Sequence, residues 1–134
     1  MEEQNEKQQE MIYKFSVFEQ QMRQIQEQLQ LIEQGMNDLV SLKEGIESIK
    51  GKKNNEIFAH VGKGIFVKAK LLSEDLIVDI GKKNFVKKNI NETKVMIDKQ
   101  VKRLEEIHDN LNSSVEEINE EMVKLIGEVE KEKN

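Results

Sequence analysis

Residues 97–129 read IDKQVKRLEEIHDNLNSSVEEINEEMVKLIGEV, and the fold turns on where the apolar side chains fall. Ile97, Val101, Leu104, Leu111, Val115, Ile118, Met122, Leu125 and Val129 stand alternately four and three apart, with His108 filling the place between Leu104 and Leu111. An α-helix turns once in about 3.6 residues, so this rhythm draws one narrow apolar line along its side. So thin a line suits a facing helix of the same kind, each side chain entering a gap on the other, as in a coiled coil.

A matching line lies near the other end: Met11, Phe15, Phe18, Met22, Ile25, Leu29, Ile32, Met36 and Leu39. Set antiparallel, the two lines meet in layers whose residue numbers sum to 140, from Met11 with Val129, through Ile32 with His108, to Leu39 with Val101. Every partner is then a seam residue, so the spacing predicts a hairpin of helices, the first over about residues 6–50 and the second over about 89–131. The chain contains no Pro, which inside a helix costs about 3 kcal/mol. Gly35 and Gly45 should soften the first helix. Lys43 falls on the seam, and the shift of the apolar residues to Leu42, Ile46 and Ile49 suggests that the line slips there by three residues.

Between the helices, alternation and glycine turns replace the helical rhythm. Gly51 marks the end of the first helix and Lys52-Lys53-Asn54-Asn55 a polar turn. Ile57–Val61 should pair with Ile65–Leu71 across Gly62-Lys63-Gly64, and Leu76–Ile80 with Phe85–Lys88 across Gly81-Lys82-Lys83-Asn84. Asn89, with Glu92 three residues on, reads as the cap of the second helix. The expected fold class is mainly α: an antiparallel two-helix coiled-coil hairpin with two central β-hairpins at its base, one domain over residues 1–134 with the β-hairpins at about 56–88.

Charge is unevenly distributed. Lys and Arg number 5 against 10 acidic residues over 1–50, 10 against 5 over 51–94, and 6 against 11 over 95–134. Acidic helices repel nucleic acid along most of the chain, and the lysines Lys68, Lys70, Lys82, Lys83, Lys87 and Lys88, with Phe85 the one aromatic residue among them and no interleaving that would support stacking, read as a solvated sheet face. With no Cys there is neither a disulfide nor a thiol nucleophile. Gly62-Lys63-Gly64 lacks the spacing of a phosphate loop and opens a strand. Glu105 and His108 have a spacing used in di-iron bundles but lack the second motif such sites need, and His108 reads better as a polar seam residue that fixes register. No catalytic residues, cofactor or metal are expected, so an enzyme is not. An acidic N-terminus and the absence of a long apolar run point to a cytoplasmic protein that does not enter a membrane.

Two short hairpins are marginal alone and leave open edges. The strands carry Ile57, Phe58, Val61, Ile65, Phe66, Val67, Leu76, Val78, Ile80 and Phe85, and their remaining means of burial is against hairpins of other subunits. At the far end of the helices lie Met11, Ile12, Tyr13, Phe15, Phe18, Met122, Leu125, Ile126 and Val129, more than a seam requires. Spacing leaves two readings open: fraying ends with scattered apolar residues, or a deformable patch that grips another polypeptide.

The central run Val61-Gly62-Lys63-Gly64-Ile65-Phe66-Val67-Lys68-Ala69-Lys70-Leu71, then Leu76–Gly81 and Phe85–Asn89, resembles the α-class subunit of prefoldin, the archaeal type above all. The resemblance spans essentially the whole chain. It departs at Lys83, where the family often has glycine, and at Thr93, where it often has alanine. It implies a hexamer of two such subunits and four β-class subunits joined through their hairpins. Such complexes bind non-native polypeptides at the helix tips without ATP and deliver them to a group II chaperonin, which selects the gripping reading of the ends. The alternative is a structural coiled-coil adaptor docking one folded partner.

Overall fold

The computed structural model describes residues 2–133, with side chains as far as residue 131. Helix α1 runs over Glu2–Ser48, strands β1 over Glu56–Gly62, β2 over Ile65–Lys70, β3 over Leu76–Asp79 and β4 over Phe85–Lys88, and helix α2 over Ile90–Lys133. The strands form two separate two-stranded antiparallel sheets, β1 with β2 and β3 with β4. The expected fold class is the observed one. The chain divides into two compact units, one built from the helices up to residue 36 and from 103 onward, the other from residues 37–102.

In the first unit the narrow seam is visible in burial. Each expected α1 position from Met11 to Met36, and each α2 position from Leu104 to Val129, is at least half-buried, and nearly all residues between them are exposed. Two helices alone cover a seam from one side, so most of these side chains remain half-buried; Leu125 is fully buried. The register follows from cross-helix contacts. His108 Nε2 lies 3.2 Å from Glu33 Oε1, and a Cβ on Gly35 would meet Leu104 Cδ1 at 3.5 Å. His108 is half-buried on the seam, and its other ring nitrogen lies 3.2 Å from Asn112 Nδ2.

The second unit holds the core of Ile46, Ile90 and Ile97, with Leu39, Ile49, Leu76 and Val101 packed around it. Lys43 Nζ reaches Asp98 Oδ1 at 2.7 Å and Lys94 Nζ reaches Glu47 Oε2 at 2.6 Å. The pairs 33 with 108, 43 with 98 and 47 with 94 all sum to 141, one step beside layers that sum to 140. The slip expected near Lys43 does not occur. Lys43 stays on the seam, half-buried, Ile46 follows it three residues on, and Leu42 is exposed. The long lysine stem lines the seam while its ammonium finds a carboxylate at the edge, so the rhythm survives a charged residue.

Helix α1 ends by tightening. Ile49 N–H donates to Ile46 O and Lys50 N–H to Glu47 O, and Gly51 takes φ 77°. That left-handed value is adopted at least cost without a Cβ. Gly51 N–H donates to the Glu74 carboxylate, tying the link between the two hairpins to the end of α1. Helix α2 opens with Asn89 as cap, its Oδ1 accepting from Glu92 N–H at 2.7 Å. Thr93 is buried, its hydroxyl donating to Asn89 O at 2.8 Å, so this polar group in the core has a partner.

Candidate functional site

The first hairpin is set by its turn. Gly62 pairs with Ile65 across Lys63 and Gly64, whose φ values of 48° and 79° twist with the strands. His60 Nε2 accepts from Gly64 N–H at 3.3 Å, and the His60 ring lies 4.9 Å from that of Phe66, its cross-strand partner. A register shift between His60 and Gly62 displaces Val61 from the ladder. One sheet face then carries Phe58, His60 and Phe66 with Lys68, which pairs with Glu56 at 3.1 Å. The other carries Ile57, Ala59, Val67 and Ala69. Of these apolar side chains Phe58, Phe66 and Val67 are exposed, as are Val61 and Ile65.

The second hairpin has distinct faces. Leu76, Val78, Val86 and Lys88 share one, all half-buried, and Leu76 packs on the Ile46–Ile90–Ile97 core. Ile77, Asp79, Phe85 and Lys87 share the other, all exposed. Its turn places Lys82 and Lys83 at φ 52° and 62°, with Asn84 N–H donating to Gly81 O at 3.0 Å. Two non-glycine residues thus occupy left-handed conformations.

Of the strand residues expected at an interface, Phe58, Val61, Ile65, Phe66, Val67, Ile80 and Phe85 are exposed. Ile57, Leu76 and Val78 are half-buried. Leu76 packs in part on this chain's own core. Ile77, not anticipated, is 77% exposed. Its signal was an apolar residue out of phase with Leu76 and Val78. The lysines do not form one solvated face: Lys88 lies on the half-buried side, and Lys87 pairs with Asp75 at 3.4 Å.

At the terminal end of the first unit, Ile12 and Tyr13 are about 70% exposed and Ile126 is exposed. Met11, Phe15, Phe18, Met122 and Val129 are half-buried on the seam. Leu125, expected in the patch, is only 5% exposed and offers no free surface. Val123, which sequence reading passed over, is exposed and lines a shallow depression with Asn119, Glu120 and Lys124. Met22 and Met122 line another beside Glu19, Arg23 and Val115.

Electrostatics are those of a solvated surface. Glu47 is held below the ordinary glutamate range by the hydrogen bond from Lys94, then by the charges of Lys94, Lys50 and Lys43. Among the described residues no cluster of three or more His, Cys, Asp or Glu is placed to hold a metal, and no helix is long and apolar enough to cross a membrane.

Comparison with known proteins fits this geometry. A family model described as Prefoldin subunit matches residues 18–133. The chain belongs to the prefoldin family. Prefoldin subunit alpha of Methanococcus maripaludis is 34% identical over 117 residues, covering 87% of this chain and 80% of that protein. Prefoldin subunit alpha of Methanobrevibacter smithii is 28% identical over 121 residues, covering 90% and 83%. The fold is shared with a chain of the cryo-EM structure of filamentous PFD from Methanocaldococcus jannaschii, with a TM-score of 0.77 at 16% identity, over 87% of this chain and 98% of that one. Within a prefoldin subunit, the two exposed apolar regions described above are the candidate surfaces.

Proposed function

We propose that this prefoldin-family chain is the α-class subunit of an ATP-independent cytoplasmic chaperone and is not an enzyme. It joins β-class subunits through its hairpins in an α2β4 hexamer, holds non-native polypeptides at the helix ends and passes them to a group II chaperonin. The observation carrying this reading is that both hairpins present large apolar side chains to solvent while each sheet has only two strands. Exposed strand edges beside Phe58, Phe66, Ile77 and Phe85 invite further strands and further subunits. The apolar side chains at the helix ends, carried on a pair whose seam is already satisfied, leave surface for a client. Several weak contacts at several ends combine through effective concentration.

The test separates the two surfaces. Replacing Ile12, Tyr13, Val123 and Ile126 with Ser should leave the assembly's sedimentation unchanged and abolish its suppression of light scattering by several unrelated unfolded proteins. Phe66→Asp with Ile77→Asp should instead dissociate the assembly. Full protection by the four-serine complex refutes the assignment of capture to the helix ends. A wild-type complex that protects none of the unfolded proteins leaves the adaptor reading.

A further inference from the structure

We infer, resting on the capture reading above, that the helix ends select non-native segments in which Lys or Arg accompanies apolar side chains, and disfavour acidic segments of equal hydrophobicity. Over residues 2–22 and 116–131 there are eleven Glu and four Lys. The whole chain has a net charge of −5, so these ends are more acidic than the molecule as a whole. The distribution is local to the exposed apolar residues. Glu6, Glu10 and Tyr13 fall four and three residues apart on one face of α1, all exposed. Glu116, Glu120 and Val123 do the same on α2, and Glu130 lies one turn beyond Ile126. Glu120 borders the depression around Val123, with Lys124 the one cation beside it. The pair Lys124–Glu121, at 3.9 Å with both side chains more than half exposed, offsets little of this charge.

An apolar patch alone would accept any greasy segment. With carboxylates in excess beside it, it also sets up a negative potential that draws in cationic chain and repels anionic chain, acting first on encounter rate and then on the pairs formed at the rim. The central block has the opposite balance, 10 basic residues against 5 acidic ones over 51–94, so the selectivity belongs to the ends.

The test uses the complex assembled with its partner subunits and three labelled peptides with one apolar core, flanked by Lys, by Ser or by Glu. Fluorescence anisotropy at low salt should rank them Lys, Ser, Glu in falling affinity, with steps of about threefold or more, converging at about 0.5 M NaCl where the screening length is only a few ångströms. Replacing Glu10, Glu120 and Glu130 with Gln in this chain should shrink the Lys-to-Glu spread while leaving the Ser peptide's affinity unchanged. Equal affinities at low salt, or a spread that persists in high salt or in the Gln variant, overturn the charge selection while capture stands. Failure of all three peptides to bind overturns capture at the helix ends, and the selection with it.

Discussion

Ile97→Ala probes the cluster of Ile46, Ile90 and Ile97. Ile97 is 1% exposed, and the substitution removes three buried carbon atoms from its contact with the other two. At about 0.8 kcal/mol per buried methylene the transfer loss is about 2.4 kcal/mol. A cavity adds about 1 kcal/mol more, since a helix and a sheet wall cannot fully collapse onto the gap. Alanine's better helix propensity returns about 0.5 kcal/mol. The net cost is therefore about 3 kcal/mol, or about 10 °C in Tm for a chain of this size. Val95→Ala, two residues earlier on the same helix but exposed, is the control and should change stability by about 0.5 kcal/mol or less. Thermal unfolding followed by far-UV circular dichroism, at one protein concentration for all variants, reads both. If Ile97→Ala and Val95→Ala melt together within a degree or two, the cluster is not the core, and the account of how the second unit is held fails.

Lys83→Gly relieves a left-handed residue at φ 62° and should stabilise the second hairpin by about 1 kcal/mol, seen as a rise in Tm; Asn84→Gly, outside the left-handed pair, should not. Glu47 has a depressed folded pKa, so its contribution is fully present above the unfolded value of about 4.3 and is lost as the pH falls through the lower folded value. Urea midpoints measured on acidification through that window should therefore fall less in Glu47→Gln than in wild type. His108→Leu puts an apolar residue on the seam facing Ile32 and should raise Tm by an amount equivalent to about 1 kcal/mol. A fall in Tm would show that the contacts of His108 with Glu33 and Asn112 outweigh apolar packing.

The two helices, their antiparallel register and both hairpin pairings were legible in the sequence because each rests on local periodicity or turn chemistry. A four-three apolar rhythm has one efficient partner, and its match in a second stretch sets the layers without knowledge of anything else. The same reasoning failed at Lys43, where a charged residue on the seam looked like a break. The structure keeps it in place because Asp98 lies within 2.7 Å on the facing helix, a contact between residues far apart in sequence. Leu125 and Val123 differ at the candidate site. Leu125 lies on the apolar line and is buried while Val123 lies off it and is exposed, so the seam position that marked Leu125 as core also withdraws it from the patch.

Sequence alone therefore determined what is repetitive and local: two heptad lines, their matched lengths, the turn glycines, the helix cap at Asn89 and the reversal of charge at the centre. Tertiary structure decided which side chains are consumed internally and which are left over, the packing of half-buried Leu76 on the core, the burial of Thr93, the exposure of Ile77 and Val123, and the positive φ at Lys82 and Lys83. The reason is physical. Periodicity records which face of an element is apolar, but exposure depends on what lies across from that face, and that is known only once distant segments are brought together.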